Sequence, residues 1–203
     1  ILDATSPRPA VNRDVRAPGE GRRIPASTPR RPNPTLRLVP FAQDHASVIA
    51  SWVHDDEQLE WLSPGTPPPL TAAKVRQWPR RDGSAYVLLA ANEPCGYAEL
   101  NRMRSGTGNW WIGHFIVHPD HRGQGLGHAL LELLLEEAFE RLCAQTVCLV
   151  VFPDNARAIR CYESAGFSRV GIEYHRFSNR RPRARLARLE TTQAAWKAPR
   201  HAG

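Results

Sequence analysis

Among 203 residues there is one methionine, Met103, and the four cysteines (Cys95, Cys143, Cys148, Cys161) form no C-x-x-C pair. With no pair and no metal spacing, neither a disulfide framework nor a zinc module organises the chain. Cys148 sits in an apolar run and Cys143 follows a helical pattern, so both read as small buried hydrophobes. A reduced, cytoplasmic compartment is the simplest expectation. No run reaches the ~18–20 apolar residues of a membrane span, and the N-terminus has no apolar signal core, so no membrane partner is expected. The chain starts at Ile1, and with Met103 its sole methionine the start reads as trimmed or the chain as a fragment.

Charge is abundant but uneven. The formal net charge is +7. Residues 1–34 carry seven arginines against Asp3, Asp14 and Glu20, or +4. Residues 175–203 carry seven arginines and Lys197 against Glu190, or +7. Taking both ends from the total leaves −4 for residues 35–174. The basic pI belongs to the ends, which weakens the inference from overall charge to nucleic acid. The 18 prolines and the 41% hydrophobic share fit a globular core with a non-globular segment. Residues 1–34, rich in Pro and Arg without hydrophobic period, read as a disordered tail. Residues 35–190 read as one domain, and 191–203 as a short basic tail.

The domain opens with the alternating strand Thr35–Val39, then a helix from Ala42 to His54 with Asp44 as N-cap. Asp55-Asp56-Glu57 opens a short helix through Leu62. Ser63 to Pro69 must be a stiff loop, a natural wall for a cleft, and Thr71 caps a helix that Pro79 stops. Strands at 84–91, 95–103 and 110–117, joined by short turns, predict an antiparallel meander. The last is apolar on both faces apart from His114, so it should be central and buried. Gln124 to Leu142 has the period of a long helix, with Leu126, Leu130, Leu133, Leu134, Ala138 and Leu142 inward. The apolar strand 146–152 then returns parallel. A helix at 156–165, ended by Gly166, and a hairpin of 167–177 with 183–190 close the chain. The order predicts a mixed α+β fold around a mostly antiparallel sheet of six to seven strands.

The densest signal is Ile116-Val117-His118-Pro119-Asp120-His121-Arg122-Gly123-Gln124-Gly125-Leu126-Gly127-His128. A strand end runs into a glycine-rich loop and then into a helix N-terminus. Glycines allow close approach of a ligand, and the first helical N–H groups lack partners and face the positive dipole end. That combination suits a phosphate or pyrophosphate. A P-loop is excluded because no Lys-Ser or Lys-Thr follows. A dinucleotide fingerprint fits poorly, because His128 stands where its last glycine should fall and the loop follows a meander. The pattern R-x-x-G-x-G is met by Arg122, Gly125 and Gly127.

At these residues the chain resembles the GNAT superfamily of N-acetyltransferases, whose Q/R-x-x-G-x-G/A loop binds the pyrophosphate of acetyl-CoA. A second stretch, Asn155 to Phe167, is similar to that family's downstream motif. The resemblance covers about residues 35–190. It implies the GNAT acyl-CoA N-acyltransferase fold, with acetyl-CoA as co-substrate, an amine acceptor and no metal. It implies further that Ile116, Val117, Arg122, Gly123, Gln124, Gly125, Leu126, Gly127 and His128 hold the cofactor. Asn155 then contacts the pantetheine arm, and Tyr162 lies near the sulfur as general acid, against its reading as a packing aromatic.

Many members of that family carry a glutamate on the strand before the loop, and here Asn109 to Phe115 has none. His114 and Glu99 are the two candidates for the base, each against an ordinary structural role; a water relay or an already neutral amine is the further option. Trp110 and Trp111 read as core more readily than as cleft lining. His118 and His121 have no partner at ligand spacing, so no metal site is expected there. The acceptor stays open. Ala158 to Phe167 and the double tryptophan are similar to aminoglycoside 6′-N-acetyltransferases, and the same motifs occur in protein N-terminal acetyltransferases. The rival from another class is an idle acyl-CoA sensor with basic ends for a nucleic-acid or protein partner. The lack of interleaved aromatics disfavours nucleic acid. Homodimerisation is left open.

Overall fold

The computed structural model describes residues 35–79, 83–104, 107–177 and 183–198. The 1–34 tail, the Ser105-Gly106 part of one turn, the hairpin turn at 178–182 and the last five residues lie outside them. Seven strands make one sheet: β1 (Leu36–Pro40), β2 (Gly83–Ala90), β3 (Glu93–Arg102), β4 (Asn109–Val117), β5 (Thr146–Val151), β6 (Ser168–His175) and β7 (Ala184–Thr192). Their spatial order is β1-β2-β3-β4-β5-β7-β6. The first four run antiparallel, β4 pairs with β5 in parallel, and β7 joins both β5 and β6 antiparallel. The meander and the single parallel crossover are as the pattern predicts.

Strand alternation sends side chains to two layers. On one face α4 (Leu126–Glu136) and α5 (Ala156–Ser164) cover Leu88, Leu100, Val147, Leu149 and Leu189. On the other, α1 (His45–Ala50) and α3 (Ala72–Val75) cover Val87, Tyr97 and Ile116 with Ile49, Trp52 and Val75. Burial of each such side chain contributes about 1.5–3 kcal/mol, so both helical layers are held by their apolar stripes more than by propensity. α2 (Asp56–Leu62) is capped by Asp55, whose carboxylate accepts from Gln58 N at 2.8 Å. Thr71 caps α3 through Lys74 N.

Several expectations change in detail. Asp44 stands at the start of α1 but its side chain caps nothing; its own backbone is already helical, and His45 Nδ1 accepts from Ala42 N instead. The buried positions of α4 and the following π turn (137–141) are Leu130, Leu131, Leu134, Leu135, Ala138 and Phe139. Leu126, Leu133 and Leu142 are half-buried, because the helix turns its stripe mainly toward β3. Strand β7 runs past Glu190 to Thr192, and α6 (Gln193–Lys197) follows. Trp196 of α6 stacks on Phe139 at 5.6 Å and donates to Glu132 at 2.8 Å, so the start of the supposed basic tail packs on the domain.

Candidate active site

Strand β4 is hydrogen-bonded to β5 only from Asn109 to Trp111, opposite Thr146 to Cys148. Beyond that the two strands part, and a cleft of about 1470 Å³ opens between them. The sequence predicted a fully buried β4. Instead Trp111, His114 and Phe115 are half-buried and face this opening, so Trp111 lines a cleft as well as packing. Beyond Trp111 the β4 edge that faced β5 is left unpaired by it, and Ile116 and Val117 line the cleft there.

At one end lies the glycine loop. Gly123 and Gly125 have φ of +80° and +83°, a left-handed backbone that a side chain strains. Gly125 is the N-cap of α4 and brings no capping side chain; the first helical bond runs from Ala129 N to Gly125 O at 3.0 Å. The N–H groups of Leu126, Gly127 and His128 therefore have no partner within the helix. Gln124 and His128 are tied elsewhere, Gln124 Nε2 donating to Asp120 O and His128 Nδ1 meeting Ser164 Oγ. Arg122 donates from Nε to Val117 O at 3.0 Å, which anchors its guanidinium beside the loop. Burial, then the charge of Arg157, holds Arg122 below the usual arginine value. Arg157, from α5, reaches over Gly123: a Cβ there would stand 3.6 Å from its Nη2. Among the described residues neither arginine has an ion pair. Two like charges beside orphan N–H groups fit a diphosphate. Sequence reasoning missed Arg157, since no local feature places it over the loop.

Asn155 spends its side-chain oxygen on Ala158 N (3.1 Å), capping α5, and leaves its amide nitrogen at the cleft wall. Two turns on, Tyr162 is 7% exposed, packed edge-on against Phe115 and near Phe167. Its hydroxyl takes no hydrogen bond among the described residues, and the residue lines the cleft. Burial, with a smaller contribution from Cys161, pushes the phenol well above its ordinary value. It keeps its proton at neutral pH.

Glu99 and His114, which the sequence offered as alternatives, are one unit. Glu99 on β3 lies opposite Gly113 on β4, and the register then slips so that His114 and Phe115 stand across from Ala98 alone. Such a bulge re-aims side chains. His114, at φ +41°, turns its Nδ1 to Glu99 Oε1 at 2.8 Å instead of to the opposite face. Gly113 suits this corner, since a Cβ would stand 3.1 Å from both Asn101 Nδ2 and the Trp111 ring. Glu99 is 1% exposed and also accepts from Tyr97 Oη (2.7 Å) and Asn101 Nδ2 (3.1 Å). Burial alone would raise its carboxyl, but the bond and charge of His114, with the other two donors, hold it below the ordinary value. It is an ionised acceptor of three hydrogen bonds. The imidazole stacks flat on Trp78 at 4.3 Å and 5°, and its Nε2 meets Ser63 Oγ at 3.1 Å.

The remaining wall comes from the 63–66 loop, Trp61, Trp111, Phe177, Arg102 and Arg104. Glu173 also lines it but is held by Arg188 (2.6 Å) and His175. Among the described residues no His, Cys, Asp or Glu group is placed to hold a metal, and no helix is long and apolar enough to cross a membrane.

The acetyltransferase (GNAT) family model matches residues 40–167. The aminoglycoside N(6′)-acetyltransferase type 1 of Klebsiella pneumoniae is 28% identical over 152 residues, covering 68% of this chain and 75% of that one. The L-methionine sulfoximine/L-methionine sulfone acetyltransferase of Salmonella typhimurium is 36% identical over 104 residues, 45% of this chain and 60% of that one. Among solved structures, the spermidine N-acetyltransferase of Vibrio cholerae with CoA and spermine superposes with a TM-score of 0.66. It is 18% identical and the match covers 79% of this chain and 97% of that one, a likeness of fold.

Proposed function

Because the chain belongs to the acetyltransferase (GNAT) family, we propose that it moves an acetyl group from acetyl-CoA to a primary amine by direct attack in a ternary complex. The observation that carries this reading is the cleft where β4 leaves β5, with a diphosphate-type cradle at one end and a histidine–carboxylate pair farther in. Acetyl-CoA supplies the activated acyl group. The N–H groups at 126–128, with Arg122 and Arg157, bind its diphosphate. The β4 edge that β5 leaves open beyond Trp111 offers backbone groups to the pantetheine amides and to the thioester carbonyl, and the Asn155 amide adds a donor to the arm. The His114–Glu99 pair is the final acceptor for the proton of the attacking amine. Tyr162, kept protonated by burial, gives one to the departing sulfur.

For the acceptor we favour a small amine, on the ground that the relative matched over three-quarters of its length acts on an aminoglycoside. The aromatic walls of Trp61, Trp111 and Phe177 suit the body of such a molecule, and the exposed Arg102 and Arg104 leave room for one that also carries an anionic group. Peptide N-termini are the competing class. Calorimetry of the intact chain should show saturable acetyl-CoA binding. A thiol-release screen across aminoglycosides, polyamines, amino acids and short peptides then identifies the acceptor. Absence of acetyl-CoA binding overturns the reading.

Tyr162→Phe removes only the hydroxyl that the buried ring brings to the cleft. It is expected to lower kcat by roughly 10²-fold, as for loss of a general acid, with acetyl-CoA affinity retained. Steady-state kinetics beside calorimetry separates the two effects.

A further inference from the structure

Both ring nitrogens of His114 are engaged. Glu99 is an ionised carboxylate and can only accept, so Nδ1 carries the ring proton and donates at 2.8 Å. Nε2 is then the acceptor in the neutral ring, and Ser63 Oγ, at 3.1 Å, stands directly before it. One face of the ring is covered by Trp78. An incoming amine therefore finds no ring nitrogen open to it.

Ser63 resolves this. A hydroxyl has one proton and two lone pairs. The proton points to His114 Nε2, so the short contact with Thr66 Oγ1 (2.7 Å) must run from Thr66 to Ser63. One lone pair of Ser63 remains. Ser63 is 6% exposed yet lines the cleft with His114 and Thr66, and its backbone is fixed by Ser63 N donating to Leu59 O at 2.7 Å. It is held in place by α2 on one side and by the imidazole on the other.

We propose that Ser63 is the proton carrier between the acceptor amine and the His114–Glu99 pair, with Thr66 fixing the direction of its hydroxyl. This rests on the acetyltransferase reading above. As the amine nitrogen bonds to the acetyl carbon, its proton passes to Ser63 Oγ while the Ser63 proton passes to His114 Nε2. The carbon–sulfur bond breaks, and the sulfur takes the proton of Tyr162. Solvent then returns a proton from the imidazolium to the tyrosinate, so Ser63 ends as it began.

The test uses the intact chain and the amine that the screen identifies. Ser63→Ala is expected to lower kcat about 10²-fold, to leave acetyl-CoA affinity unchanged, and to shrink the solvent deuterium isotope effect on kcat. Ser63→Thr, which keeps a hydroxyl, should recover most of the rate. Acetyl-CoA binding measured on each variant shows that it is folded. Unchanged kcat and isotope effect in Ser63→Ala overturn the relay. So does an acetyl group found on Ser63 by mass spectrometry after mixing with acetyl-CoA alone, since the serine is then a nucleophile. A wild-type chain that binds acetyl-CoA but turns over no amine overturns the parent reading, and the relay with it.

Discussion

His114→Ala is expected to lower kcat by about 10²–10⁴-fold, the range for losing a general base, with acetyl-CoA affinity retained. The reason is positional. The bulge in β4 turns the imidazole onto a carboxylate that is 1% exposed and bound by three donors. In the proposed mechanism the pair holds the proton taken from the amine as an imidazolium beside a fixed negative charge. Glu99→Gln should reduce kcat in the same direction and alter the shape of the pH–rate profile, because a neutral amide no longer stabilises that imidazolium. Glu99→Ala should in addition destabilise the fold by about 3–5 kcal/mol, since it strands a buried hydroxyl and amide and a half-buried imidazole. The pH dependence has a definite sign. The carboxyl of Glu99 lies below the ordinary value of 4.5 in the folded chain. Its stabilisation is therefore complete above that value and is lost as pH falls through the lower folded value. Denaturant melts between pH 7 and pH 3 should show this acid loss in the wild type and a flatter curve in Glu99→Gln. A rate and a pH profile unaffected by His114→Ala would move the base elsewhere.

Arg122→Ala and Arg157→Ala are each expected to weaken acetyl-CoA binding about 10–100-fold, which corresponds to one charge-assisted contact of about 1.5–3 kcal/mol. The double variant should lose more than either, but less than the product, because the two guanidiniums repel each other in the free chain. Removing one relieves that repulsion in the unbound state. Wild-type affinity should also fall as salt rises, since the charges are only partly buried and the ligand is an anion. Calorimetry at two salt concentrations measures both effects. Kinetics should follow as a rise in KM for acetyl-CoA at nearly constant kcat, because this contact is made equally in ground and transition states. Lysine at position 157 should restore only part of the affinity, as it lacks the planar fork.

The sequence alone made legible the glycine loop that we assign to the acetyl donor. Glycines at 123, 125 and 127, an arginine three residues before the middle of them and a helix without a capping side chain are local features. They act through backbone freedom and chain order, so spacing reports them. The same holds for the meander, the crossover and the α5 motif, whose periods of two and 3.6 residues are written in the apolar pattern. Arg157 escaped because nothing local says that a helix packed across the loop will lay its second residue over Gly123.

The residues that we assign to the acceptor end were brought together by tertiary structure. Glu99 and His114 are on different strands, and by plain alternation the residue after Gly113 should face away from Glu99. A one-residue slip in the β3–β4 register, with His114 at positive φ, brings them to 2.8 Å. Ser63 is 51 residues from the imidazole it touches. Trp111 turned from core to cleft lining because β4 stops pairing with β5 at that residue. None of these has a periodic or compositional trace. They depend on where two strands part and on how a loop after α2 closes over the gap, and long-range contacts alone set that.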